Sequence, residues 1–388
     1  MSTKKILITG GAGFIGAETV NQLHRAGGWD ITVLDAMTEQ IHGRDWEKSY
    51  LYRSVQGKCR LILGSVCDLA AVQQAVEGCE YVVHLAAETG TGQSMYRINQ
   101  YNETNIMGTS NLLQAISLAG KSSRVKKIVL SSSRSVYGEG KYQCPNCGVV
   151  YPGSRDRDRM LKGDFHLYCP DCGERLSLLP TSEDSRIQPA SLYAYTKYAQ
   201  EMMLRTMCPA MGLAYTILRF QNVYGQGQSL KNPYTGILSI FSSLLLENKP
   251  VNVFEDGLES RDFINVRDIA AGIAACLENP RSDGETINLG SGVNTSVLEI
   301  VSILKKHYGS RSDVRITGDF RIGDIAHNKA DIGKAERLIG FRPRVGLDEG
   351  LKAFCDWVMH QEKDSGGYEA SLEEMEKTGM LVRSAQDG

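Results

Sequence analysis

The sequence predicts an α/β chain: a doubly wound parallel sheet, a smaller α+β lobe, and an inserted module built on paired cysteines. Three observations carry the prediction. Short apolar runs alternate with helix-periodic stretches from the N-terminus onward. A glycine-rich turn, Thr9-Gly10-Gly11-Ala12-Gly13-Phe14-Ile15-Gly16, follows the first apolar run. Residues 139–180 break the alternation and hold two Cys-x-x-Cys pairs.

The elements follow in order. Ile6 to Thr9 reads as a buried strand, and residues 17–26 as a helix with Val20 and Leu23 on one face. Ile31 to Leu34 is a second strand ending at Asp35, followed by Leu61–Leu63, Tyr81–Val83 and Lys127–Leu130. Helices are expected over 70–76 and 105–119. After the insertion come a helix at 191–207 and a strand at 214–220. Strands alternating with helices give right-handed crossovers and a parallel sheet. The expected division is a dinucleotide-binding domain over 1–225, interrupted by 139–180, then a lobe over 226–361 with 262–285 returning to the first domain. Residues 362–388 are charged and poor in apolar anchors, and are expected to form a tail or peripheral helix.

Glycines 10, 13 and 16 sit between a strand and a helix. Glycine allows the tight turn and lets backbone N–H groups reach a pyrophosphate at the helix N-terminus. Gly10, Gly13, Phe14, Ile15 and Gly16 are therefore candidate cofactor contacts in a Rossmann-type fold. Asp35 lies 19 residues beyond Gly16. A carboxylate there accepts ribose hydroxyls and repels a 2′-phosphate, which favours NAD over NADP. Asp68-Leu69 can bracket the adenine, and Asp68 can equally be a plain helix N-cap.

Tyr193 and Lys197 are four apart, on one face of the predicted helix. A nearby ammonium and a positive nicotinamide ring lower a phenol's pKa and suit it to general-base work. Ser133 follows a strand, where its hydroxyl can hold the same substrate oxygen.

With those motifs in place, the chain resembles the extended short-chain dehydrogenases/reductases of the nucleotide-sugar epimerase/dehydratase family over roughly residues 4–360. Further segments carry the likeness: His84-Leu85-Ala86-Ala87, Asn105–Thr109, Ser131–Gly138, Arg219–Gly225 and Arg261–Asp268. The resemblance implies that Ser133, Tyr193 and Lys197 are catalytic, and that Lys197 also holds the nicotinamide ribose. It places Ala86 beside the cofactor. It implies that Asn222, Arg261 and Arg321 meet the sugar nucleotide, the arginines by charge-assisted bonds to its diphosphate. It also implies a homodimer through the helices at 105–119 and 191–207.

Three reactions share this frame. The family's 4,6-dehydratases carry an Asp-Glu pair after the catalytic hydroxyl residue; here Arg134 and Ser135 stand there. A reductase commonly uses NADP, against which Asp35 argues. A 4-epimerase needs no external acid and regenerates NAD each cycle. Gly92–Tyr96 and Asn232–Gly236 are similar to epimerases of dTDP- or UDP-linked (6-deoxy)hexoses. Glu88 faces either the sugar or solvent. A non-catalytic NAD sensor is the alternative of a different class, and it would not need the three catalytic side chains.

Cys144, Cys147, Cys169 and Cys172 form two knuckles, each followed by glycine and separated by 21 residues. Four thiolates at this spacing suit a closed tetrahedral zinc site, structural rather than catalytic, in a zinc-ribbon-like module. His166 is surplus to such a site. The expectation is that the module packs near the sugar pocket or makes a protein contact.

The bulk figures agree. At 388 residues the chain can bury a large core, and a net charge of −2 gives no nucleic-acid or membrane-surface footprint. No apolar run reaches the ~18 residues of a membrane span. The first apolar run ends in glycines, so it reads as a strand and not a signal peptide. A cytoplasmic location is expected, where paired cysteines favour metal over disulfides.

Overall fold

The computed structural model of the protein describes residues 3–230, 236–361 and 366–384. Seven parallel strands make the central sheet, in the order 285–289, 214–220, 127–133, 81–84, 4–9, 29–35 and 60–63. Alternate residues of Lys4–Thr9 face opposite layers. Ile6 and Ile8 join a core with Val20, Leu23, Ile269 and Ile273, while Leu7 joins one with Leu112, Ile128 and Leu204. Burial on both faces explains why the strands are unbroken apolar runs. Strand 4–9 pairs with both 29–35 and 81–84. The order reverses there, and that switch point opens a crevice at the carboxyl ends of the strands.

Most elements match their sequence expectation within a few residues. The helix read over 17–26 begins at Phe14, directly after the glycine turn. The stretch read as one helix over 105–119 is a π-helical turn, Asn102–Met107, followed by the α-helix Gly108–Ala119. Tertiary bonding accounts for the widened turn. Asn105 is fully buried; its amide takes the Glu88 N–H at 2.8 Å and donates to the Glu88 carbonyl at 3.1 Å and Thr196 Oγ1 at 2.9 Å. His84 is a core residue held between Thr9 and Thr109 hydroxyls, and burial takes its pKa down to about 3.

The helices Ile237–Leu246, Val297–Tyr308 and Leu347–Val358 enclose a second core around Tyr224, Phe241, Ile300 and Phe354. Residues 142–144, 148–150 and 177–178 form a three-stranded antiparallel sheet within the insertion. The C-terminal stretch holds the helix Gly366–Lys377 and a strand, Leu381–Val382, that pairs antiparallel with Phe320–Arg321. Leu381 is its buried anchor. Asn232-Pro233-Tyr234-Thr235 lies outside the described residues. Among the described residues no helix is long and apolar enough to cross a membrane.

One buried ion pair ties the carboxyl edge of the sheet together. Arg219 donates from Nε to Glu201 Oε1 at 2.9 Å and from Nη2 to Oε2 at 2.7 Å. Its Nη1 donates to the Tyr137 hydroxyl at 2.8 Å and the Glu183 carbonyl at 3.0 Å. Ser132 Oγ donates to Glu201 Oε1 at 2.5 Å. Removing one partner of such a pair strands a buried charge, at about 3–5 kcal/mol. Arg219→Met should therefore lower unfolding free energy by about that amount. Denaturant unfolding checks this, and a loss under about 1 kcal/mol would contradict it.

Candidate active site

A cleft of about 650 Å³ runs along the carboxyl edge of the sheet and into the second lobe. The glycine turn forms one end. Gly10 has φ 67° and backs onto Ala86, where a Cβ would lie 2.8 Å from the Ala86 nitrogen. A Cβ on Gly16 would lie 2.1 Å from the Gly10 carbonyl oxygen. The helix Phe14–Ala26 starts at Gly13 with no side-chain cap, so its first N–H groups face the cleft as an anion cradle. The Asp35 carboxylate lies at the wall, taking the Ala12 N–H and the Met37 N–H, each at 2.9 Å. These residues fit a dinucleotide: glycines where side chains would intrude, N–H donors for its diphosphate and a carboxylate for its ribose.

Of the two roles open to Asp68, the structure shows the helix cap. Asp68 Oδ1 accepts the Ala70 N–H at 2.9 Å and caps the helix Leu69–Val76. The cleft wall runs instead through Gly64, Ser65 and Val66, just after strand 60–63. An Asp at a helix start satisfies an orphan N–H, and here Oδ1 alone does so. Ser65-Val66 would have been found by asking which residues leave the strand end first.

The catalytic candidates meet at the middle of the cleft. Ser133 ends strand 127–133, and Tyr193 and Lys197 lie one turn apart on the helix Leu192–Ala210, capped by Ser191. All three line the cleft, as do Ala86 and Glu88. Lys197 Nζ donates to the Ser131 carbonyl at 2.9 Å. Burial pulls the Lys197 pKa down to about 7, against the opposing charge of Glu201. Tyr193 departs from expectation: burial raises its phenol, while a hydrogen bond with Ser133 and the charge of Arg134 pull it back. Lys197 directs its hydrogen bond to the strand and not to the phenol.

Asn222, Arg261 and Arg321 line the far end. Arg261 Nη1 donates to the carbonyls of Ser260 and Ala326 at 2.9 and 3.0 Å. Arg321 lies over the Phe254 ring at 5.1 Å. Arg134, Ser135, Gln228, Glu255 and Glu259 also line the wall, a set the sequence reading did not assign to binding. Arg134 Nε, Ser135 Oγ, Gln228 Oε1, Glu259 Oε2 and Arg321 Nε are buried without protein partners. Buried polar atoms are normally paired, so this concentration marks the wall as built for a polar ligand.

The four insertion cysteines converge, with all Sγ atoms within 4.8 Å of one another. Cys144 and Cys172 sulfurs are 3.4 Å apart, and all ten cysteines of the chain are free of disulfides. Cys79, Cys208, Cys276 and Cys355 are ordinary buried thiols.

A parallel switch-point crevice, with a Tyr–Lys helix beside a glycine turn, is the architecture of the extended short-chain dehydrogenase/reductase class. The chain belongs to the NAD dependent epimerase/dehydratase family, whose profile matches residues 6–153 and 169–290. A dTDP-L-rhamnose 4-epimerase of Burkholderia thailandensis is 36% identical, over 92% of this chain and 96% of its own. The UDP-glucose 4-epimerase of Thermotoga maritima, solved with UDP-glucose, superposes with a TM-score of 0.73 at 28% identity, over 92% of this chain and 98% of that one. The UDP-glucuronic acid 4-epimerase of Bacillus cereus, solved with UDP-glucuronic acid and NAD, gives 0.74 at 26% identity, over 92% and 99%.

The glycine turn yields a graded expectation. Gly16→Ala forces the turn open and should cost about 1–3 kcal/mol of stability, with NAD affinity falling at least tenfold. Gly13→Ala, whose Cβ would stand 3.2 Å from the same carbonyl, should cost less of both. Thermal unfolding and NAD titration check the order, and equal effects would contradict it.

Proposed function

We propose that the protein is an NAD-dependent nucleotide-sugar 4-epimerase acting on a dTDP- or UDP-linked hexose, with a 6-deoxyhexose the favoured class. The observation that carries this reading is the single cleft. It joins an anion-cradling glycine turn, the Ser133–Tyr193–Lys197 set and two arginines at the far end. The family and its 4-epimerase relatives support it, and the 36% relative supports the 6-deoxyhexose. Arg134 and Ser135 after Ser133 leave no carboxylate pair there for dehydration.

Bound NAD supplies a reversible acceptor for the C4 hydride and a positive ring that favours the phenolate. Gly10, Gly13, Phe14, Ile15 and Gly16 would cradle its diphosphate, Asp35 would take ribose hydroxyls, and Ser65-Val66 with Asp68-Leu69 would bracket the adenine. Tyr193 removes the proton from the C4 hydroxyl and returns it after the keto-sugar has turned its other face. Ser133 holds that oxygen throughout. Lys197 stabilises the phenolate once the ring charge is present. Arg261 and Arg321 hold the sugar diphosphate, so the hexose can rotate while its nucleotide stays bound.

Two further readings belong to this proposal. The four thiolates hold a structural zinc, since Zn–S bonds of ~2.3 Å fit a sulfur cluster of this size and leave no open position. The chain forms a homodimer through its two long helices, where Met107, Leu118, Tyr195, Met202 and Met207 are exposed.

Turnover tests the reaction. Mixing the enzyme with dTDP- and UDP-hexoses should produce C4 epimers by NMR with no net NADH, and Tyr193→Phe should lose at least about a hundredfold in kcat. Net NADH consumption would make it a reductase, and NAD binding without turnover a sensor. Native mass spectrometry tests the assembly: the expected species is twice the 42.7 kDa chain plus two zinc ions. A metal-free monomer would overturn both readings.

A further inference from the structure

The cysteine insertion touches the second lobe along one continuous seam. Phe165 packs on Phe320, with ring centroids 6.3 Å apart. Tyr142, Cys144, Leu167 and Cys169 share a buried cluster with Ala326. Glu139 accepts the Ala326 N–H at 2.9 Å. Thr181 takes the Asp331 N–H at 2.9 Å and donates its own N–H to the Lys329 carbonyl at 2.8 Å. The seam therefore covers residues 320–331, and this segment supplies Arg321, Gly323, Asp324 and Ile325 to the cleft wall.

Arg155 is its centre. Its side chain is 2% exposed and grips the Glu255 carboxylate with both Nη atoms. Nη2 also donates to the Asp324 carbonyl at 2.9 Å. Glu255 and Asp324 both line the cleft, and they come from separate parts of the second lobe. Glu255 is held at φ 53°, a left-handed backbone that a non-glycine residue keeps only when its surroundings fix it. The family profile skips residues 154–168, so this grip lies outside the shared family pattern.

From this geometry we infer that Arg155 is a positioning residue. It projects from the cysteine module, clamps Glu255 to the 320–326 segment, and so sets the wall on which the nucleotide-sugar diphosphate rests. The module then acts on substrate affinity and not on the cofactor end. This rests on the nucleotide-sugar reading for its ligand, but the clamp itself is a property of the chain.

The test uses the full-length protein with its metal. Arg155→Met should raise nucleotide-sugar KM about tenfold or more, because small misplacements of binding groups are costly. Its kcat should stay within about threefold, and NAD affinity should be unchanged. Arg155→Lys, which keeps the charge and loses the fork, should fall between. Hydrogen exchange over 319–331 should quicken in Arg155→Met, and likewise after the metal is removed by chelation. Should Arg155→Met not fold, Glu255→Gln removes the same ion pair and must show the same KM rise and exchange. An unchanged KM with intact NAD binding overturns the inference. So does unchanged exchange over 319–331, even if the wild type turns over no nucleotide sugar, an outcome that would by itself sink only the functional reading.

Discussion

The Arg219–Glu201 pair is the interaction on which the arrangement of Ser133, Tyr193 and Lys197 depends. Glu201 lies one helical turn beyond Lys197, and Arg219 lies beside Ser132 across the neighbouring strand. With Ser132 also donating to Glu201, the pair fixes helix 192–210 against the ends of two strands. The tyrosine, lysine and serine then have one relative arrangement. A loosely packed helix would let it vary by an ångström, which is enough to misalign proton transfer. The glutamate has a second effect. Its charge opposes the desolvation that lowers the Lys197 pKa, so one carboxylate serves both packing and the lysine's charge state.

The cleft balances charge along its length. Arg134, Arg261 and Arg321 are interleaved there with Glu255, Glu259 and Asp324, and the buried Arg155 and Glu139 side chains lie behind them. Burial pushes Glu139 up to about 7, and burial plus the Glu255 charge takes Glu259 to about 8. Near neutral pH these two carboxyls carry only part of their full negative charge. The wall thus gains positive character toward an anionic ligand while holding few permanently uncompensated cations. A diphosphate entering there meets donors already desolvated, so little reorganisation is left to oppose binding.

Much of this was legible in the sequence, for physical reasons that can be named. The strands were readable because burial on both faces demands continuous apolar runs, and the helix with Tyr193 and Lys197 because its periodicity is regular. The glycine turn was readable because close backbone approach leaves no room for a side chain. Asp68 stayed open between two roles because an N-cap and an adenine contact draw on the same side chain. The π-helical turn was hidden because its cause, Asn105 bonded to Glu88 and Thr196, is tertiary. The C-terminal strand was hidden because two residues carry no period, and Leu381 finds its partner some sixty positions upstream.

The second lobe poses a harder folding problem than the sheet. Its cleft-lining segment, 320–331, contains only one two-residue strand, Phe320–Arg321. A segment with so little ladder of its own must be held from outside or it will fray. Outside elements do so: strand 381–382 pairs with its start, residues 260–262 bond its middle, and the cysteine module covers its length. The four converging cysteines suit the last of these. An insertion of this size has only a small apolar core, and a metal held by four thiolates would supply what that core lacks. On that view the insertion is large because it must be a folded body before it can serve as a wall.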